Sequence, residues 1–255
     1  MISSRSSNEE ILAVLHRAAD AVSAVLITNQ DWSLSEARPT QYSIDVRTDD
    51  VALAVLRSEG MAVLSEESER TGDFGEQDVL VVIDPLDGST NASRGIPWYA
   101  TALCALDHDG LRASLVVNQA SRSDRYWATR GGGAFHNGVR IAHSGCTDIG
   151  DAVIGISGLP KHPPKWSQFR AHGAAALDIC LVAEGALDGW IDFNSHGVWD
   201  YLASLLICEE AGVAIAEHNN YELLVTDHSE RRTPLVAATS QLLGVLREAR
   251  KDHDQ

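Results

Sequence analysis

A mixed α and β fold is predicted by three features of the sequence. A helical repeat of apolar residues opens the chain, and apolar runs joined at Asp-Gly and Asn-Gly follow as far as about residue 145. From about Asp151, short apolar runs alternate with helical ones. The chain therefore reads as an antiparallel-rich α+β part, residues 1–145, and an alternating α/β part, residues 146–255. No internal repeat or low-complexity segment stands out.

Ile11, Leu12, Leu15, Ala18, Ala19, Val22, Val25 and Leu26 recur at helical spacing, which predicts a helix over 8–27 capped at Asn8. A polar connection leads to IDVRTDDVALAVLRSEG, a second helix with Thr48 or Asp49 as its cap and Gly60 as its stop. MAVLSEES is a short strand running into acidic residues. After a turn-rich stretch, 71–77, Val79 to Ile83 form a buried strand. WYATALCALDHDGLRASLVVNQ predicts a hairpin turning at Asp109-Gly110, and DRYWATRGGGAFHNGVRIAH another turning at Asn137-Gly138. In the second part AVIGIS, LDGWIDF, LLVT and PLVAAT read as strands. AALDICLVAEG, WDYLASLLICEEAGV and SQLLGVLREARKD read as helices.

At 255 residues the chain can bury a sizeable core, and 44% hydrophobic with 22% charged residues fits a soluble globular protein. A net charge of -16 offers no basic excess to displace counterions, so no nucleic-acid partner is expected. The same acidity repels an anionic ligand unless cations intervene. Cys104, Cys146, Cys180 and Cys208 lack disulfide-framework or zinc-site spacing and read as reduced core residues of a cytoplasmic protein. No apolar run approaches the ~20 residues of a membrane span. Glu9, Glu10 and Asp20 are wrong for a signal peptide, so no membrane partner is expected.

VIDPLDGSTN, residues 82–91, places Asp84 and Asp87 where the buried strand stops. Asp49, Glu66 (with Glu67) and Asp200 are read at similar places, the ends of strands or the starts of helices. Hard divalent cations take oxygen ligands, and magnesium uses carboxylates, waters and substrate phosphate. Carboxylates that converge without cations repel one another and hold protons. Gly88, Ser89 and Thr90 add backbone N–H groups at a helix start, suited to a phosphate. The competing reading makes each carboxylate a cap or a solvated turn residue.

DPLDGSTN together with WDYLASLLICEEAG resembles the paired signature of the inositol monophosphatase family, the magnesium-dependent, lithium-sensitive phosphatases. LSEES, TRGGGAFHNGVRI and GAAALDICLVAEGALDGW support it, and together the matches span about residues 43–212. The resemblance implies a layered α-β-α-β-α sandwich and a homodimer. It implies that Glu66, Asp84 and the carbonyl of Leu86 hold a first magnesium ion and that Asp84, Asp87 and Asp200 hold a second. Glu66 would serve a third ion through water. Asp49 and Ser89 would orient and deprotonate the attacking water, with Gly88, Ser89 and Thr90 on the phosphate. Asp87, Ala175 and Asp192 would contact the substrate. The implied reaction is in-line attack of a metal-activated water on a small phosphate monoester, inositol 1-phosphate or a sugar or polyol phosphate. Relatives also use fructose 1,6-bisphosphate, 3'-phosphoadenosine 5'-phosphate and histidinol phosphate.

Two departures bear on substrate. Asp192 lies eight positions before Asp200, where relatives have seven, and GLPKHPPKWSQFRAHG is shorter than usual. Lys161, Lys165 and Arg170 could reach a second phosphate, or be solvated loop charges; His172 and His196 fall near the pocket. Trp199 reads as a core aromatic seating Asp200. CALDHDGL offers Asp107 as an aspartyl-phosphate nucleophile, but Asp-Gly between apolar runs is also the common hairpin signal. A non-catalytic binding or regulatory protein would show loss of a metal ligand, and all the implied ligands are present.

Overall fold

The computed structural model describes residues 1–35, 38, 41–72, 74–75 and 78–254. Parts of the two polar connections, at 36–37, 39–40, 73 and 76–77, lie outside the described residues. The chain begins with α1 (Asn8–Thr28), α2 (Ser43–Ser58), β1 (Ala62–Ser65), β2 (Glu69–Thr71), β3 (Leu80–Asp87) and α3 (Ser89–Arg94). Next come β4 (Ala100–Asp107), β5 (Gly110–Asn118), β6 (Asp124–Thr129), β7 (Gly133–His136) and β8 (Val139–Arg140). Then follow β9 (Val153–Ser157), β10 (Gln168–Arg170), α4 (Ala175–Ala183) and β11 (Gly189–Asp192). The last elements are α5 (Val198–Ala211), β12 (Ala214–Glu217), β13 (Pro234–Ala237) and α6 (Ser240–Asp254).

Two sheets organise these elements. The first runs β2-β1-β3-β4-β5-β6-β7-β8 and the second β10-β9-β11-β13-β12. Pairing in the first is antiparallel except between β1 and β3; in the second, β9 pairs parallel with both β10 and β11. Strand alternation assigns the layers. Val81 and Ile83 of β3 pack with Ile11, Leu15 and Val22 of α1, whereas Leu80 and Val82 pack with α4 and α5. In the second sheet Trp190 and Val236 join that middle layer, and Ile191, Leu235 and Ala237 face Leu242 and Leu246 of α6. The order is α1/α2, sheet, α4/α5, sheet, α6, the five-layered arrangement expected.

Several boundaries differ from the sequence reading. α1 is capped one residue earlier: Ser7 Oγ accepts from Glu10 N at 3.2 Å and Glu10 Oε2 from Ser7 N at 2.8 Å, a capping box. α2 begins at Ser43, so Thr48 and Asp49 lie inside the helix; Asp45 caps instead, accepting Tyr42 N at 2.8 Å. LLVT forms no strand. Its apolar side chains pack on the middle layer, and the Leu223 carbonyl accepts the Tyr201 hydroxyl at 2.8 Å. The strands beside β13 are β11 and β12. The glycine segment makes two turns, one at Arg130–Gly132 and one at Asn137-Gly138. Glu210 of α5 accepts the N–H groups of Gly131 and Gly133 at 2.6 and 2.8 Å, which ties the first of these turns to the middle layer.

Contrary to the expectation that no run approaches a span, α1 is long and apolar enough to cross a membrane by length and composition. Here Ile11, Leu15, Ala18, Ala19 and Val22 are fully buried in the layer over the first sheet.

Candidate active site

The two aspartates of VIDPLDGSTN are brought together by a backbone irregularity. Asp84 pairs with Ala102 and Asp87 with Ala100, so Pro85 and Leu86 together oppose Thr101 alone. Such a bulge suits a proline, which has no N–H for the ladder. Thr101 Oγ1 donates to the freed Pro85 carbonyl at 2.8 Å. In a regular strand residues three apart face opposite sides. The extra residue cancels that alternation, turning Leu86 toward the α1/α2 layer and Asp87 back to the α4 side with Asp84.

Each aspartate then has one carboxylate oxygen pinned by a backbone amide. Asp84 Oδ1 accepts Leu86 N at 2.9 Å, Asp87 Oδ2 accepts Ala176 N at 2.8 Å, and Asp200 Oδ2 accepts Gly197 N at 2.9 Å. Glu66 follows β1, which the parallel pairing sets beside β3, and Asp200 lies in the first turn of α5. Glu66, Asp84 and Asp200 bring carboxylate oxygens within 4.8 Å of one another. Burial, and then the neighbouring carboxylates, push Glu66 and Asp84 well above the usual carboxylate range. Burial and then Asp200 push Asp87 up to about 8, and burial raises Asp200. Anionic, all-oxygen and crowded, the set fits a hard divalent cation, which would relieve the repulsion that otherwise keeps these groups protonated. Trp199, which precedes Asp200 in α5, is buried, and a Cβ on Gly197 would sit 2.4 Å from its ring.

Gly88 joins this cluster to α3 with φ +81°, where its own Cβ would come within 3.1 Å of the Gly173 carbonyl and the Ala174 Cβ. Ser89 and Thr90 open α3, whose first-turn N–H groups have no acceptor within the helix.

Asp49 is placed differently from expectation. It sits inside α2, buried, with Oδ1 accepting the Ser65 hydroxyl at 2.6 Å and with Ser68 also donating to it. Asp45, in the same helix, has Oδ1 buried without a hydrogen-bond partner among the described residues, and burial pushes the group up to about 7. Sequence reasoning missed Asp45 by starting α2 too late. An acid three residues after a helix cap was the available signal.

A cavity of about 250 Å³ opens beside the cluster, lined by Asp87, Asp178 and Asp200 with Ala175, Trp190 and His196. Ala175 is therefore on its wall, as the resemblance implies. Asp192 is not: it is fully buried, Oδ1 accepting Asn194 N at 2.8 Å and Oδ2 facing His196 Nδ1 at 2.9 Å. Burial disfavours charge on His196, but the Asp192 hydrogen bond and charge, with Asp200 and Asp87 beyond, raise it to about 9. On the α4 side Asp178 Oδ1 accepts Trp98 Nε1 at 2.9 Å and faces His172 Nδ1 at 2.8 Å.

Lys161, Lys165 and Arg170 are absent from the cavity lining, and Arg170 donates to the Phe169 carbonyl and Gln168 Oε1. Asp107 is paired with Gly110 in a hairpin and with Arg112 at 2.5 Å. The hairpin reading of CALDHDGL holds.

These features define a five-layered αβ protein with an oxygen-lined, cation-accepting cleft. The chain belongs to the inositol monophosphatase family, whose profile matches residues 8–255. It is 34% identical over 213 residues to fructose-1,6-bisphosphatase/inositol-1-monophosphatase of Archaeoglobus fulgidus, covering 81% of this chain and 82% of the relative. It is also 34% identical over 179 residues to Nus factor SuhB of Escherichia coli K12, covering 63% and 66%. Extragenic suppressor protein suhB from Bartonella henselae superimposes with a TM-score of 0.80 at 26% identity, covering 95% of this chain and 98% of that one. The family consists in general of magnesium-dependent phosphatases of phosphorylated sugars and polyols.

Proposed function

We propose that the protein is a magnesium-dependent phosphatase of a small phosphate monoester, inositol 1-phosphate or a sugar or polyol phosphate. The observation that carries this reading is the convergence of Glu66, Asp84 and Asp200 within 4.8 Å, with Asp87 beside them at the cavity wall. Glu66, Asp84, Asp87, Asp200 and the Leu86 carbonyl would hold two or three ions. When bound, these ions neutralise phosphate charge and acidify the attacking water. The Gly88, Ser89 and Thr90 amides take the phosphate oxygens, and α3, only six residues long, contributes these donors more than a dipole. Asp45, buried and poised near 7, accepts the proton of a water that the Ser89 hydroxyl orients. Asp49 supports that arrangement through Ser65. Ala175 and His196 line the space left for the alcohol.

The Archaeoglobus relative's name supports sugar bisphosphates beside inositol 1-phosphate as substrates. 3'-Phosphoadenosine 5'-phosphate and histidinol phosphate are further family substrates to assay. A cytoplasmic homodimer without nucleic-acid or membrane partners completes the reading. A regulatory role has one observation behind it, the Nus factor name of the Escherichia coli relative. Phosphate release from a panel of monophosphates, with and without magnesium and lithium, separates the two. The phosphatase reading requires release that depends on magnesium, is inhibited by lithium and disappears in Asp200→Asn. Release indifferent to magnesium, or none at micromolar protein, rejects it.

A further inference from the structure

Glu66 lies one residue beyond β1, so the direction of its side chain depends on what fixes its own backbone. Its N–H donates to the Ile83 carbonyl of β3 at 3.3 Å. Its carbonyl takes two donors from distant segments, Arg38 Nη1 at 3.1 Å and His228 Nε2 at 3.0 Å. A carbonyl oxygen only accepts, so His228 Nε2 carries the proton whatever the charge of the ring. His228 is held in its turn. Its ring lies against the Trp199 indole with centroids 4.5 Å apart, and the Arg231 guanidinium stands 5.1 Å from the centre of the same indole. Arg231 Nη1 donates to the His228 carbonyl at 2.8 Å, and Asp227 Oδ1 accepts the Ser229 amide at 2.8 Å. At the end of the loop Arg232 and His196 exchange backbone hydrogen bonds of 2.9 and 2.8 Å. One loop, residues 227–232, thus touches the backbone of Glu66 on one side and the residues just before Asp200 on the other.

We propose that His228 is a positioning residue of the acidic cluster: donating Nε2–H to the Glu66 carbonyl while stacked on Trp199, it sets the spacing between the Glu66 and Asp200 carboxylates that a magnesium ion needs. The role rests on the magnesium reading of the cluster and deepens it. Magnesium demands near-octahedral geometry with short oxygen contacts, so a displaced carboxylate is felt directly in affinity. Groups that orient a ligand without touching the ion typically alter affinity by about 10–100-fold.

Magnesium alone is the probe, its dissociation constant fitted to the rise in melting temperature with added ion. His228→Phe keeps a ring against Trp199 and removes the donor, whereas His228→Gln supplies a donor at similar reach. The constant should rise about 10-fold in His228→Phe, the low end of the range because Arg38 still holds the carbonyl. In His228→Gln it should stay within about 3-fold of the parent. The magnesium needed for half-maximal phosphate release should follow the same order, with kcat and KM at saturating magnesium changing far less. His108→Phe is the matched comparison. His108 also stacks on a ring, Phe74 at 4.7 Å, and its Nε2 also faces a carbonyl, that of Gly75 at 2.9 Å. It follows β4 at the end of the β3–β4 pair away from Asp87, and its loss should leave the constant as it was. An unchanged constant in His228→Phe overturns the inference and leaves the magnesium reading standing. So does a constant in His228→Gln as weak as in His228→Phe, which would reduce the ring to packing, or an equal weakening in His108→Phe, which would mark a general loss of stability. If the unsubstituted chain gives no response to magnesium, the magnesium reading falls and takes this inference with it.

Discussion

Asp87 Oδ2 accepts the backbone N–H of Ala176 at 2.8 Å, so the carboxylate ending β3 is held by the first turn of α4, 89 residues further along the chain. The contact joins the metal-accepting cluster to the wall of the cavity. Asparagine can keep that acceptor while removing the charge. Asp87→Asn should therefore preserve the fold and abolish the response to magnesium. In the absence of metal the variant should melt a few degrees above the unsubstituted protein, because one of several crowded carboxylates is gone; the gain is on the order of 1 kcal/mol. Magnesium should raise the melting temperature of the unsubstituted protein and scarcely move that of the variant. Thermal unfolding with and without the ion checks both. A variant that gains as much from magnesium as the parent would remove Asp87 from the ligand set.

Gly88 has the left-handed backbone that sets Ser89 and Thr90 at the head of α3. A methyl group there meets the carbonyls of Gly173 and Trp98 at 3.1 and 3.2 Å, backbone atoms that cannot yield as a side-chain tip would. Gly88→Ala should cost about 1–3 kcal/mol of stability. It should also lower kcat/KM by about 100-fold, since a displacement near 1 Å at the phosphate donors is expensive. Urea unfolding and steady-state kinetics measure the two effects, and substitution at Gly95, which has open space around it, is the comparison.

Asp45 predicts a pH dependence of stability whose sign is fixed by its burial. Its folded pKa of about 7 exceeds the model-peptide value of 3.8, so the folded chain binds this proton more tightly. The favourable contribution is complete below the lower of those values, declines as pH rises between them, and is gone above about 7. Asp45→Asn should flatten that decline, which amounts to a few kcal/mol at most. Unfolding free energies from pH 4 to 8 in chelator give the slopes. The same variant should lose at least ~100-fold in kcat. Asp49→Asn, whose carboxylate is occupied by serine hydroxyls, should lose less. Equal losses would return the proton-accepting role to Asp49.

The residue types of this site are visible in the sequence where local rules govern them. Asp109-Gly110 and Asn137-Gly138 announce their turns because the left-handed backbone that Gly110, Asn137 and Gly138 adopt is open to those residue types themselves. Asp84 and Asp87 announce themselves as a motif, but the bulge that puts both on one side of β3 depends on pairing with β4. Asp192 and His196 could be named as neighbours of the cleft. Which of them would face it depends on the turn at Asn194, where Asp192 accepts a backbone amide. Asp45 was hidden by a helix start placed at Thr48, where a threonine looks like a cap but bonds back to the Ile44 carbonyl at 3.0 Å. LLVT failed for a plainer reason. Its apolar character serves packing on α5, and apolarity alone does not distinguish a strand from a covering loop.

His136 links the first sheet to the far end of α4. Its Nε2 lies 2.5 Å from Asp124 Oδ1 and its Nδ1 2.6 Å from Glu184 Oε2, while its ring stacks on Tyr126 at 4.0 Å. Both ring nitrogens therefore face a carboxylate. Tyr126 adds a hydroxyl bond to Glu184 at 3.0 Å, and Glu184 caps the helix whose other end holds Asp87. His136→Phe keeps the stacking and removes the ring nitrogens from both carboxylates, leaving Glu184 its Tyr126 hydroxyl and Asp124 its Asn118 and Asn137 amides; it should destabilise by about 1–3 kcal/mol, partial exposure of the three groups lowering the value for a fully buried pair. His136→Gln can still donate to one carboxylate and should lose about half as much. Both should leave kcat within a few-fold, because α4 is held at its other end by Asp87 and along its length by the middle layer. A His136→Phe variant as stable as the parent would mean that Asp124 and Glu184 are already satisfied without the ring, and that the imidazole contributes packing alone.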